Sequence, residues 1–438
     1  MILVARYVVP VSSPVIENGA VEILQGRITA VGRRADLTRR ADEQVTDYGD
    51  AVICPGLVNA HTHLELTHLA GRIPAKPPFP SWLREITTLL IQSPPTPEEV
   101  RDSVRDGIAQ SLAAGTTTIG DITREPTKTR PILAESPLRG VSFGEVIAIG
   151  TRRHLLQDRL AEAIDWPQGH RHPHVDRPNH DGGAIRITTG RERPRDPWHW
   201  RVGLSPHSPY TVEPDALRLC AQTVRDRRLP TCVHVAECAD ESAFTRSAGG
   251  PLAEFLRSIG VWDERIVASN RSPIELLAVS ELLTAHTILA HANYVDDAEI
   301  ARIAASGAGV AYCPRTHAAF DNPPHRVLDM LRAGVNVCLG TDSLATNPSL
   351  SILDELRFLR TTRPDVSPDL AMRLATLHGA AALGVADTCG AIEPGKAADL
   401  AVIPMETPYA GSWGSIFEGG RNPVAVYVNG VLQHTVPL

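Results

Sequence analysis

Eight short apolar runs, most of them separated by stretches of helical periodicity, fill the middle of this 438-residue chain and limit what it can fold into. They cover 51–61, 116–122, 142–149, 200–207, 230–237, 286–292, 309–315 and 336–343. Strands that alternate with helices imply βα units and a parallel sheet, and eight of them predict an α/β fold, a (β/α)8 TIM-type barrel. Helical runs at 97–114 and 352–360 carry apolar residues three and four apart. Glu98 and Glu99 in the first turn of the former suit the positive end of a helix.

Four of these runs deliver polar groups at their carboxyl ends. The first runs through Val58-Asn59-Ala60-His61-Thr62-His63. Residues two apart on a strand share a face, so His61 and His63 leave it together, as two ligands of one ion would. The fifth ends in His234-Val235-Ala236-Glu237, the sixth in Ala290-His291-Ala292-Asn293 and the eighth in Gly340-Thr341-Asp342-Ser343. A parallel barrel gathers such ends at one mouth. Any one alone reads equally as a core histidine or a helix cap; their joint occurrence in this order points to a site.

The chain ends read differently. Short strands at 2–9, 21–24 and 28–31 find counterparts at 399–403 and 424–428, the last followed by an Asn429-Gly430 hairpin turn. Neither end could bury a core alone, so both are expected to fold together as one small β-sandwich. The expected domains are 1–54 and 395–438 for that sandwich and 55–394 for the barrel. A Pro-, Arg- and His-rich segment at 166–199, with His170, His172, His174 and His180, reads as an exposed insertion.

A net charge of −7 argues against nucleic acid or an acidic membrane as partner. No apolar run approaches the roughly 18 residues that span a bilayer, and the amino terminus lacks a signal-peptide pattern. A cytoplasmic location is expected. Seven scattered cysteines do not form a disulfide framework.

These motifs, together with Gly203-Leu204-Ser205-Pro206-His207 and Gly390-Ala391-Ile392-Glu393-Pro394-Gly395-Lys396, resemble the amidohydrolase superfamily over nearly the whole chain. More narrowly they resemble its aminohydrolase branch of deaminases and chlorohydrolases. The resemblance implies that His61, His63, His234 and Asp342 hold one divalent metal ion, with His291 and Glu237 beside it. Three imidazoles and a carboxylate suit Zn²⁺, with Fe²⁺ as the alternative. Such an ion lowers the pKa of a water from 15.7 to about 7. In this scheme Asp342 takes the water proton, His291 orients the nucleophile and Glu237 shuttles a proton to the substrate. The fourth strand ends without the lysine usual in binuclear members, which favours one ion. The absence of a C-x-x-C motif excludes the other zinc deaminase class.

The implied reaction is deamination of an aminated purine nucleoside or related heterocycle. Cleavage of triazine-like or cyclic amide bonds is the alternative, and a non-catalytic barrel scaffold a third. For the substrate, His207 either faces it or caps the next helix. Glu65 either binds a ribose hydroxyl or pairs with an arginine, and Trp82 either stacks on a ring or packs on a helix face. Arg315 and His317 after the seventh strand suggest an anionic substituent; with Ser343, this region looks most similar to aminodeoxyfutalosine deaminases of menaquinone biosynthesis. The expected partner is a small molecule, and family habit suggests a homodimer.

Overall fold

The computed structural model describes residues 1–37, 44–166, 199–405, 411–418 and 420–436. Eight parallel strands form one sheet in strict chain order. They are Leu57–Thr62, Thr116–Thr123, Arg139–Val146, Trp200–Pro206, Thr231–Val235, Thr287–His291, Gly309–Tyr312 and Val337–Leu339. The last strand returns to the first: Thr62 bridges Asp342, and the amides of Thr341 and Asp342 both donate to the carbonyl of His61 at 3.1 Å. That contact turns the sheet into a barrel, as the alternating pattern predicts. Nearly every residue of the eight strands is buried, as expected where helices cover the outer face and side chains fill the inner one.

Local chemistry sets the helix boundaries. Thr96 caps Pro97–Ala113 through a capping box with Glu99, and Ser272 with Glu275 and Asp296 with Glu299 do the same for Pro273–Val279 and Asp297–Ser306. All seven cysteines are free and buried.

The seventh and eighth barrel strands are shorter than read, ending at Tyr312 and Leu339, and two further boundaries differ in ways that bear on the fold. The run at 51–61 is two strands: Ala51–Pro55 pairs with the end-built sheet and Leu57–Thr62 with the barrel. Gly56 is the joint, where an added Cβ would lie 2.2 Å from the Thr117 hydroxyl. The third barrel strand begins three residues earlier than read, at Arg139. A charged residue hid that start; its guanidinium is neutralised within the fold.

Both chain ends contribute to a separate eight-stranded sheet. The front supplies Ile2–Val8, Ile16–Leu24, Arg27–Arg33, Val45–Asp47 and Ala51–Pro55, and the tail Leu400–Pro404, Ala425–Val428 and Val431–Thr435. Leu400–Pro404 runs antiparallel to Ala51–Pro55, which joins the two halves. Asn429 and Gly430 both take positive φ (48° and 69°), as a two-residue hairpin turn requires. The inner face packs Leu3, Val21, Ile53, Leu400 and Tyr427. The insertion read at 166–199, with its four histidines, lies outside the described residues except for its two end positions.

One buried ion pair ties barrel to sheet. Arg139 donates from Nε to Asp399 at 2.8 Å and from Nη2 to Asn429 at 2.7 Å, with both partners of the ion pair almost fully buried. Asp399→Ala would bury that guanidinium without its carboxylate and is expected to lower stability by about 3–5 kcal/mol. Equilibrium denaturation checks this, and a loss under about 1 kcal/mol would mean the joint carries little.

Candidate metal centre and active site

The first strand aims His61 and His63 to one side. Asn59 anchors it: its amide nitrogen donates to the Thr341 hydroxyl at 2.8 Å and its oxygen accepts from the Thr341 amide at 3.1 Å. Barrel closure therefore also brings Asp342 against the two histidines. Its Oδ1 lies 3.6 Å from His63 Nε2 and 3.9 Å from His61 Nε2. From the fifth strand, His234 Nε2 lies 3.1 Å from His63 Nε2.

A cation fits between these atoms. The Nδ1 of His234 is held by the carbonyl of His207 at 3.1 Å, which keeps the proton there and frees Nε2 as a lone pair. Two imidazole nitrogens on one tetrahedral zinc stand roughly 3.3 Å apart, close to the spacing observed. The Nε2 atoms of His61 and His291 are buried without a hydrogen-bond partner among the described residues. Burial, reinforced by neighbouring imidazoles, holds His61, His63 and His291 well below the ordinary histidine range, and burial takes His234 to about 3. Neutral imidazoles are what coordination needs. His61, His63, His234 and Asp342 could therefore hold one divalent ion.

A second cluster adjoins the first. The ligand atoms of Glu237, His291 and Asp342 all lie within 4.8 Å of one another, with Glu237 Oε1 3.5 Å from His291 Nε2. Burial and then the Asp342 charge push the Glu237 carboxyl well above its usual range, and burial takes Asp342 up to about 6. Asp342 is fixed by the Thr346 hydroxyl on Oδ2 at 2.8 Å and the Ser343 amide on Oδ1 at 2.7 Å. Glu237 is held through its backbone: its amide donates to buried Glu241 at 3.0 Å, and its carbonyl accepts from Asn293 at 2.9 Å.

Backbone strain collects at the same strand ends. Ala236, His291, Ala292 and Asp342 have positive φ of 50°, 74°, 47° and 59°. None is glycine, and residues held this way concentrate where geometry serves function. Nothing in the sequence marks the two alanines for it.

The expected substrate residues divide. His207 lies beside the centre, its ring 4.8 Å from that of His234, with Nδ1 paired to Thr211 at 2.6 Å. His317 is near His291 but bonds Asn293 at 3.0 Å, and the Ser343 hydroxyl accepts from the Ala345 amide in its own turn. Trp82 is buried in an aromatic group with Phe79 and Phe320, part of an apolar cluster that includes Ile149, Tyr210 and Ala345 from loops after the strands. Glu65 is committed: its oxygens accept from the Thr123 hydroxyl and the amides of Arg124 and Glu125 at 3.0–3.3 Å. Arg315 is committed too, with Nε to Glu355 at 2.7 Å and Nη2 to Ser349 at 2.9 Å. Its charge is neutralised by Glu355 inside the protein, whereas the sequence reading had it facing an anionic substituent. Glu355 also accepts from Asn347, which donates to the Thr341 carbonyl, so this network braces the turn at Asp342.

Sequence reading missed Glu145, Glu241, Asn293 and Thr346. Glu145 was hidden because the misplaced third strand set it mid-strand, whereas it stands at the carboxyl end.

A barrel of this kind, with histidines and carboxylates converging at the carboxyl ends of its strands, defines a metal-dependent hydrolase. The profile of the amidohydrolase family matches residues 52–432, and the chain belongs to that family. It is thus a hydrolase acting on non-peptide C–N bonds. It is 29% identical over 415 residues to a 5-methylthioadenosine/S-adenosylhomocysteine deaminase of Moorella thermoacetica, covering 92% of this chain and 85% of that one. It is 28% identical to the aminodeoxyfutalosine deaminase of Deinococcus radiodurans, with 84% and 81% covered. In fold it matches the crystal structure of Helicobacter pylori aminofutalosine deaminase in complex with methylthio-coformycin, with a TM-score of 0.81 at 21% identity over 99% of both chains.

Elemental analysis after dialysis should find about one divalent ion per chain, cut at least about tenfold in His61→Ala and in His234→Ala. Full metal retention in either variant would remove that residue from the ligand set.

Proposed function

We propose that this chain is a deaminase with one divalent ion, zinc by its nitrogen-rich donor set, that hydrolyses the exocyclic amine of a purine nucleoside or related heterocycle. The observation that carries the reading is the adjacency of two groups: the imidazoles that suit an ion, and the Glu237–His291–Asp342 cluster that suits proton transfer. A divalent ion bound there supplies the charge that acidifies a water and so provides a nucleophile at neutral pH.

The chain's own residues manage the protons. Asp342, with a carboxyl near neutrality, accepts the proton that the water gives up. Glu237, kept protonated by burial, donates to the ring nitrogen next to the carbon under attack. That transfer removes the negative charge that attack would otherwise place on the ring. The resulting carboxylate takes the proton of the added hydroxyl as the carbonyl forms and passes it to the departing amine, ammonia leaves, and the proton on Asp342 restores Glu237. His291, in reach of Glu237, orients the attacking oxygen.

Within this class we take forward the substrates named for the relatives: aminodeoxyfutalosine, a menaquinone precursor, 5-methylthioadenosine and S-adenosylhomocysteine. The commitment of Arg315 to Glu355 removes the argument from an anionic substituent that favoured aminodeoxyfutalosine. Seven free, buried thiols suit a reducing compartment such as the cytoplasm.

Glu237→Gln keeps the shape of the side chain and removes its titrating proton. Ammonia release is expected to fall by about 10²–10⁴-fold while metal content stays at the wild-type level. Turnover within a few-fold of wild type would exclude Glu237 as the proton shuttle.

A further inference from the structure

Several buried carboxylates lie around the mouth of the barrel, and their partners differ. Glu65, Glu241 and Asp342 each accept hydrogen bonds from backbone amides or hydroxyls. Glu237 and Glu145 accept none among the described residues. The proposed chemistry uses the proton of Glu237, but nothing in it uses Glu145.

Glu145 is the penultimate residue of the third strand, with its side chain only 4% exposed. Its ligand atom, together with those of His207 and His234, falls within a 4.8 Å group that shares no member with the Glu237 cluster. His207 Nε2 is 4.0 Å away and Arg124 Nε 3.6 Å away, both beyond hydrogen-bond distance. Arg124 is half exposed, and its backbone is pinned by Glu65. A desolvated carboxylate without donors is costly, and a charged acceptor in such a place favours a ligand that brings O–H or N–H groups.

A second metal ion is the competing occupant, and it fits poorly. The Nδ1 of His234 is held by a carbonyl, and its Nε2 faces His63, so this imidazole has one lone pair to give and the first centre uses it. Glu65, the carboxylate that sequence reading offered to a sugar, has both oxygens filled by Thr123 and Arg124 at the end of the second strand. A carboxylate presents two acceptor oxygens side by side, which matches the two hydroxyls of a furanose diol.

We infer that Glu145, flanked by His207 and Arg124, accepts the vicinal hydroxyls of the substrate's sugar and so makes the enzyme select nucleosides over analogues lacking the diol. The inference rests on the deaminase reading above and specifies how that site recognises its substrate. A site built around a hydrogen-bonding group rejects the analogue that lacks its partner, because the buried acceptor is then left unpaired.

The test measures ammonia release from adenosine, 5′-methylthioadenosine, S-adenosylhomocysteine and aminodeoxyfutalosine, then compares the fastest with its 2′,3′-dideoxy analogue. Wild type is expected to prefer the diol by at least about tenfold in kcat/KM, through a hydrogen bond to a charged group. In Glu145→Ala and in the isosteric Glu145→Gln, metal content should persist. The preference should shrink to within about threefold in the alanine variant, with the change chiefly in KM. A merely structural role would lower both substrates together and leave their ratio intact, and that result overturns the inference. Equal use of the two substrates by wild type overturns it as well. Ammonia from none of the nucleosides would overturn the deaminase reading itself, and the diol subsite with it.

Discussion

The carbonyl of His61, accepting from the amides of Thr341 and Asp342, is the contact on which the rest of the structure depends. It joins two strands nearly 280 residues apart in sequence, and it lies within the metal-competent motif itself. Closing the barrel and assembling the site are therefore one event. Without the closure, His61 and His63 would have no carboxylate opposite them, and Asp342 would be an isolated buried acid. Asn59 and Thr341 reinforce the same junction through paired bonds, and Arg315, Glu355 and Asn347 brace it from behind.

Around this junction the protein accepts unfavourable arrangements that only function explains. Several imidazoles and carboxyls are buried with perturbed protonation, and four non-glycine residues stand in the left-handed region. The Nε2 atoms of His61 and His291, without a hydrogen-bond partner among the described residues, add to the cost. A bound cation would offset much of it by supplying the missing partner for lone pairs and the missing charge for Asp342. The strain at Ala236 and His291 is held by Glu241 and by His325, which donates to the His291 carbonyl at 3.0 Å. Rigidity of this kind keeps Glu237 and His291 aimed without relying on mobile loops.

Much of this was legible beforehand, for a physical reason. Parallel strands buried on both faces appear as unbroken apolar runs, so a polar residue at a run's end stands out, as His234, His291 and Asp342 do. The failures share a cause as well. Arg139 disguised the start of the third strand because its partner, Asp399, lies 260 residues away, and the resulting shift concealed Glu145. Gly56 made two strands read as one, since nothing local separates residues that pair with different sheets. Arg315 drew a functional reading because its exposure could not be known, and its true neighbour, Glu355, stands forty residues on. Side-chain partnerships across long sequence separations are set by tertiary structure, and hydropathy patterns are blind to them.

The central claim is that a single cation occupies the space bounded by His61, His63, His234 and Asp342. Anomalous diffraction from crystals grown with zinc, recorded on both sides of the metal's absorption edge, tests it most directly. The account predicts one peak per chain, within coordination distance of the three imidazole nitrogens and an Asp342 oxygen. A pair of bridged peaks, or zinc bound elsewhere while that space stays without density, would contradict it.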